Sequence, residues 1–214
     1  VSDSSVTRVG STRIIDPWSG DFMKRRQFLI ASGTVLTASA VLARSTDSRF
    51  SATISTKISG KTVRLSFTGS ALRKKYGFSV YTIASYVQEG AKVADAEALA
   101  RADIGKILAL IFERDVDGQT IATSFRGSIA ANHPAPAFSA ELDKLANYFL
   151  AHNASQGDRL WLTHIPGVGL RCQFQGDAGI LIESVPFARA IWETYLGPNN
   201  LGVAIKEGLT SRLR

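Results

Sequence analysis

The sequence predicts an α+β domain in which a large antiparallel sheet carries a layer of helices on one face. Three observations predict it. From Phe50 onward, strand-like and helix-like segments come in runs, strands then helices then strands then helices. Parallel βαβ winding would instead alternate them one by one. The strand-like segments are short, mostly alternate apolar and polar residues, and are joined by glycine turns. The helix-like segments place apolar residues at i, i+3 and i+4.

Phe50–Ile58 alternates as a strand, and Thr62–Phe67, with Val63, Leu65 and Phe67 on one side, is its hairpin partner across Ser59-Gly60-Lys61. Phe78–Val87 is a longer strand rich in aromatic and β-branched residues. Ala94–Ala102 is a short helix, and the unbroken apolar run Lys106–Phe112 is a buried strand. Asp117–Ala131 is helical, with Ile121, Phe125 and Ile129 spaced by four, until Asn132-His-Pro-Ala-Pro136 breaks it. Ser139 opens the next helix, to His152, which turns Leu142, Leu145, Ala146 and Phe149 inward. Asp158–His164 and Val168–Phe174 alternate around a Pro166-Gly167 turn, and Gln175-Gly-Asp177 leads into a last strand, Gly179–Ile182. A terminal helix covers Leu201–Thr210.

The helix between these last two segments has the clearest punctuation in the chain. Ser184 is a good N-cap, Pro186 fits a first turn, and Gly197-Pro198 ends it. At about 100° per residue, Phe187, Ala188, Ile191 and Tyr195 share a face, Trp192 and Leu196 edge it, and Arg189 and Glu193 point away. Thr194 falls inside the apolar arc. A hydroxyl there either bonds back to its own helix or faces a ligand.

The front of the chain reads differently. Met23-Lys-Arg-Arg-Gln-Phe-Leu-Ile30 pairs Arg25 and Arg26 ahead of an uncharged apolar run, Phe28–Ala43, with small-x-small cleavage sites at Ala38-Ser-Ala40 and Val41-Leu-Ala43. Residues 23–43 therefore resemble a twin-arginine export signal, and the expected compartment is the periplasm or the exterior. An uncleaved N-terminal anchor is the alternative. Residues 1–22 are polar and aperiodic and precede a plausible initiator at Met23. They read as an overlong start or an unstructured extension. The domain proper is expected over residues 44–214, with no stable membrane span once the signal is cleaved.

At 45% hydrophobic residues the chain can bury a proper core. Setting aside the five basic and three acidic residues before Arg44 leaves 20 basic and 15 acidic, a net charge of +5. The cations are dispersed apart from Arg73-Lys-Lys75, without the basic-aromatic stripe that nucleic-acid binding wants. The single cysteine, Cys172, excludes an intramolecular disulfide and, on a strand, is expected to be buried and inert. His133, His152 and His164 lack metal-ligand spacing, so no metal site or cofactor is expected. His133 is expected to be exposed. Glu113 and Asp115 flank Arg114 as a salt-bridged strand end, and no nucleophile elbow accompanies a catalytic triad.

Several blocks, in order, resemble the chalcone isomerase-like family. They are Gly69-Ser-Ala-Leu-Arg73, Val80-Tyr-Thr-Ile-Ala-Ser-Tyr-Val87, Phe112-Glu-Arg-Asp-Val116, Gln156-Gly-Asp158, Pro166-Gly-Val-Gly169, Gln175-Gly176, and Glu183 through Thr194-Tyr-Leu-Gly197 followed by Val203-Ala-Ile-Lys206 and Leu209. The resemblance spans about Phe50 to Leu213. It implies an open-faced sandwich with an apolar cleft between sheet and helices. In the true isomerases an arginine, two threonines, a tyrosine and an asparagine hold a phenolate and an enone carbonyl as a flavanone ring closes.

Carried over, Arg73 matches the arginine and Thr194 the second threonine. The first threonine falls on Tyr81, with Thr82 one residue off and so on the opposite strand face. No tyrosine stands near Gln119–Ile121 and no asparagine near Arg126–Ser128, and Asn132 lies too far along. Three readings follow. The first is an exported, non-catalytic protein binding a fatty acid or similar amphiphile through Arg73, with Tyr81, Thr194, Tyr195 and Ile191 lining the cleft. The second is an isomerase or intramolecular lyase using Arg73, Tyr81 and Thr194. The third is an interaction protein with a vestigial, side-chain-filled cleft. The missing tyrosine and asparagine favour the first and third. Oligomeric state and natural ligand are not encoded in any motif.

Overall fold

The computed structural model describes residues 47–58 and 60–213. The expected export signal (23–43) and the extension (1–22) lie outside the described residues. Within these residues seven strands pair antiparallel in sequence order: β1 (Thr53–Ile58), β2 (Lys61–Lys75), β3 (Phe78–Gln88), β4 (Lys106–Phe112), β5 (Arg159–Ile165), β6 (Gly169–Phe174) and β7 (Ile180–Ile182). Among the described residues five helices interrupt the meander: α1 (Ala96–Arg101), α2 (Gly118–Ala130), α3 (Ser139–Leu150), α4 (Val185–Leu196) and α5 (Val203–Leu209). Among the described residues no helix is long and apolar enough to cross a membrane.

One sheet face meets the helices. Ile83, Leu108, Leu110, Leu160, Leu162, Leu170 and Cys172 pack there against Leu99, Ile121, Phe149, Phe187, Ile191 and Trp192. Cys172 is fully buried, and burial pushes its thiol well above the ordinary range. The other face carries a smaller apolar cluster of strand residues, Leu65, Phe67, Ala84, Tyr86, Ile107, Ala109 and Ile111, with Phe50 laid over it and no helix contributing. This two-sided arrangement explains why β4 reads as an unbroken apolar run: its residues are buried on both faces.

The expected elements form at their expected places, with one large difference in β2. The alternating pattern ends at Phe67, yet the strand continues to Lys75. The cause is a bulge: Phe67 pairs with Tyr86 and Gly69 with Ser85, which leaves Thr68 as an extra residue. One extra residue reverses the phase of everything after it. Before the bulge, odd-numbered Leu65 and Phe67 face the strand-only cluster; after it, Ala71 and Arg73 face the helices. Thr68 Oγ1 donates to Ser85 O at 3.2 Å or Leu209 O at 2.9 Å, and Arg212 N donates to Thr68 O at 2.8 Å. The end of α5 is thereby fastened to the bulge, at a closeness only Gly69 allows: a Cβ there would lie 2.0 Å from Gly208 O.

The N-cap read at Ser184 forms, its side chain accepting from Phe187 N–H, and Asp95 and Asp117 likewise cap α1 and α2 by accepting from the N–H of Ala98 and Thr120. Ser139 opens α3 as expected, as its first helical residue, and the helix ends at Leu150; the N-cap before it is Phe138, in a left-handed conformation with its ring edge-on to Phe187.

Candidate functional site

The two sheet bulges and the last turn of α4 converge on a cavity of about 630 Å³, a size suited to a small-molecule ligand. Its sheet wall is Arg73, Lys75, Val80, Tyr81, Leu110 and Phe112. Its helical wall is Ile121, Ser124, Phe125 and Ser128 from α2, with Thr194 and Tyr195 from α4. Asn199, Asn200 and Leu201, between α4 and α5, close one side. Arg73 reaches the cavity only through the Thr68 phase reversal. A second irregularity, between Arg73 and Lys74, leaves Val80 unpaired on β3, and Val80 and Tyr81 both line the cavity.

Arg73 is half-buried and its Nη1 donates to Leu201 O at 2.8 Å, with Leu201 N in turn donating to Thr194 O at 2.9 Å. The guanidinium is thus tied by one arm to the loop that ends α4. Tyr81 pairs across the strands with Arg73. Burial raises the Tyr81 pKa, against a side-chain hydrogen bond with Tyr195 and the Arg73 charge, which pull it down. Burial, then the neighbouring Tyr81, pushes Tyr195 well above its ordinary value. Both phenols therefore stay protonated at neutral pH. Tyr81, Tyr195 and Arg73 form one connected polar patch in a mostly apolar chamber.

Thr194 resolves the ambiguity read in its sequence position by doing both things. It is 1% exposed and lines the cavity, while its Oγ1 donates to Ile191 O at 2.8 Å. With its proton committed to the helix, the hydroxyl offers the cavity a lone pair. The α2 wall is similar: Thr123 Oγ1 donates to Gln119 O and Ser124 Oγ to Thr120 O, each at 2.7 Å.

Four of the five expected cleft residues, Arg73, Tyr81, Thr194 and Tyr195, are brought together here. Ile191 is not. It is fully buried in the main core, because the cavity touches α4 only at its last turn and Ile191 lies one turn earlier. Thr82 is on the opposite sheet face, hydrogen-bonded to Glu113 and 2.9 Å from Arg49 Nη2. The Glu113 carboxylate, expected to pair with Arg114, instead pairs with Arg49 at 2.6 Å.

Asn132 does not enter the cavity. Its side-chain amide donates to Asn199 O at 3.0 Å and accepts from Asn199 N at 3.3 Å, clasping the α2–α3 loop to the α4–α5 loop beside the opening. His133 joins that clasp rather than lying in solvent, with Nε2 2.5 Å from Glu193 Oε2. Asn199, Asn200 and Lys75 are cavity residues that sequence reasoning missed. The two asparagines after Gly197-Pro198 read simply as a loop, and Lys75 lay beyond the apparent end of its strand. Among the described residues no group of His, Cys, Asp and Glu could hold a metal ion.

Comparison with known proteins agrees with this architecture. Residues 48–210 match the family described as chalcone isomerase-like. No curated protein matches the chain in sequence. Among solved structures, the chain is similar to a fatty-acid-binding protein of Arabidopsis thaliana, at 16% identity and a TM-score of 0.57, over 68% of this chain and 86% of that one. At that identity the likeness concerns the fold. With the family profile matching most of the chain, the protein is a member of the chalcone isomerase-like family.

Proposed function

We propose that this protein is exported by the signal at residues 23–43 and binds an amphiphilic small molecule, a fatty acid or a close analogue, without transforming it. The observation that carries the reading is the connected patch of Arg73, Tyr81 and Tyr195 in an otherwise apolar chamber of about 630 Å³. A guanidinium with one arm fixed to Leu201 O has donors left for a carboxylate, and Tyr81 beside it adds a neutral hydroxyl. Val80, Leu110, Phe112, Ile121 and Phe125 suit an acyl chain. The fatty-acid-binding protein of similar fold is a precedent for such an occupant.

An isomerase reading needs proton donors poised at a developing oxyanion. Thr194, Thr123 and Ser124 have committed theirs to helix carbonyls. The binding reading is therefore preferred. Native mass spectrometry of the purified protein with lipid extraction tests it: a co-purifying acid should be found and be lost in Arg73→Ala. Loss of a buried charge-assisted contact corresponds to a roughly 10- to 150-fold rise in Kd. A protein that is empty, and whose melting temperature is indifferent to added fatty acids, would sink the proposal. Turnover of a chalcone above background would establish the isomerase instead.

A further inference from the structure

An arc of phenyl rings closes one end of the cavity. Phe112 on β4 and Phe125 on α2 line opposite walls. Behind them lie Phe174 on β6 and Phe149 on α3, both buried and neither bordering the cavity. The ring centres run from wall to wall: Phe125 to Phe149 is 5.0 Å, Phe149 to Phe174 is 6.4 Å and Phe174 to Phe112 is 6.1 Å. The arc is braced from outside. The Tyr148 ring lies 5.9 Å from Phe149 and 6.0 Å from Phe174. Its hydroxyl donates to Asp177 Oδ2 at 2.7 Å and accepts from Phe174 N at 2.8 Å, so that ring cannot retreat. His152 stacks on Phe174 at 5.5 Å. A wall packed in this way does not yield to a longer ligand without forcing several side chains off their rotamers.

The arc stands opposite the polar patch. Arg73, Tyr81 and Phe112 are cross-strand partners in one row over β2, β3 and β4. The sheet wall from the guanidinium strand to the phenyl strand is therefore two strand spacings, about 10 Å. On the helical wall the lining runs along α2 from Ala131 back to Ile121. Ala131 O accepts from Asn199 Nδ2 at 3.1 Å, which places that end beside the loop holding Arg73. Ile121 is in the first turn of the helix, at the ring end. That length of helix is about 15 Å. An extended chain advances about 1.2 Å per bond, so the two walls accommodate a straight tail of about eight to twelve carbons between Arg73 and the rings.

We propose that the phenyl arc is a length gauge, in which Phe112 and Phe125 are the specificity-determining residues and the ligand class is a single-tailed, medium-chain carboxylic acid. This rests on the amphiphile-binding reading of the same cavity. The carboxylate sits at Arg73, the tail runs past Tyr81, and its methyl end meets the two rings. A tail longer than the walls has to fold back on itself or leave its end in water, and in either case its extra methylenes add little.

Calorimetric titration of the purified, lipid-stripped protein with octanoate, decanoate, laurate, myristate and palmitate, each below its micellar concentration, reads the gauge directly. From octanoate to laurate each added methylene should tighten Kd about fourfold. Past laurate the affinity should level off or fall. In Phe125→Ala the vacated ring volume should move that break to longer acids, so that palmitate gains at least about tenfold on laurate relative to the parent. Phe112→Leu, a milder change at a more buried position, should move the break in the same direction, and it keeps the test decisive if Phe125→Ala does not fold. A ratio of two acids on one protein cancels any general loss of affinity or stability, so a merely structural role for the rings would leave the break in place. Arg73→Ala should weaken all the acids alike and also leave the break in place. A Kd that keeps falling from laurate to palmitate in the parent, or a break that neither phenylalanine variant moves, would overturn the gauge and leave amphiphile binding standing. Saturable binding of none of the acids would instead remove the amphiphile reading, and the gauge with it.

Discussion

Replacing Lys106 by methionine tests how the helical layer is pinned to the sheet. Lys106 is fully buried on β4. Its Nζ donates to Leu99 O, Ala100 O and Ala102 O at 2.6, 2.9 and 2.7 Å, and lies 5.1 Å from the centre of the Trp192 ring. It closes the C-terminal end of α1 while facing α4. Burial pushes its pKa down to about 7, the Arg189 charge pushes it further, and Asp103 and Glu193 oppose both. Methionine keeps the stem and removes the ammonium. It leaves three carbonyls short of a partner, at about 1–3 kcal/mol each, and relieves an ammonium desolvation of about 4–5 kcal/mol, the depression from about 10.4. The carbonyls outweigh the relief, so Lys106→Met should lose about 2 kcal/mol at pH 7, or about 4–8 °C in Tm. The pH dependence carries a further signature. Between pH 7 and about 10.4 the unfolded lysine holds a proton that the folded one releases, so this residue's contribution to stability rises with pH. The difference between the parent and Lys106→Met should widen by about 1.5 kcal/mol from pH 7 to 8.5. Cys172, raised by burial, acts in the opposite sense above about pH 8.5, but equally in both proteins. Urea denaturation at a series of pH values measures both quantities. A methionine variant at least as stable as the parent at pH 7, or a difference that does not grow with pH, would refute the reasoning.

Gly69→Ala places a Cβ 2.0 Å from Gly208 O, at a φ of +151°, and should cost about 3 kcal/mol by prising α5 from the bulge. A loss under about 1 kcal/mol in denaturant titration would show that the contact is dispensable. Thr194→Val removes a hydroxyl bonded only to its own helix, so it should shift stability by less than about 1 kcal/mol and fatty-acid affinity by less than about threefold. A drop beyond about tenfold in displacement titrations would mean that this hydroxyl turns to donate to the ligand.

Much of the fold was legible because most elements announce themselves locally. The α4 helix carries its cap, its proline and its terminating glycine in sequence, and β4 its apolar run. What was not legible has one source. Thr68 and Val80 each break a strand's phase, and no composition rule marks a β-bulge. The alternation test therefore stopped β2 at Phe67 and left Arg73 on an apparent loop. Arg73 and Tyr81 were found as candidates by resemblance, whereas the reason they face one cavity is the register. Asn132 and His133 were opaque for a different reason. Their partners, Asn199 and Glu193, are about sixty residues away, and only the folded chain shows that the two loops meet.

The placement of protons decides what this chamber can do. Closing a flavanone ring draws charge onto an enone oxygen and needs donors aimed there. Here three hydroxyls of the helical wall are acceptors, since Thr194, Thr123 and Ser124 each donate to a carbonyl of their own helix. The donors that remain gather around Arg73, where Lys75 and the Tyr81–Tyr195 pair adjoin it. Arg126, on the α2 wall, is spent on Asp143 at 2.6 Å. Freeing one helix hydroxyl would break an internal bond worth about 0.5–1.5 kcal/mol. That cost is small enough for a strongly polar ligand to induce, but it is not a preorganised oxyanion site. A cavity with its donors concentrated around a guanidinium and an apolar body is complementary to a molecule built the same way, with a charged head and a hydrocarbon tail.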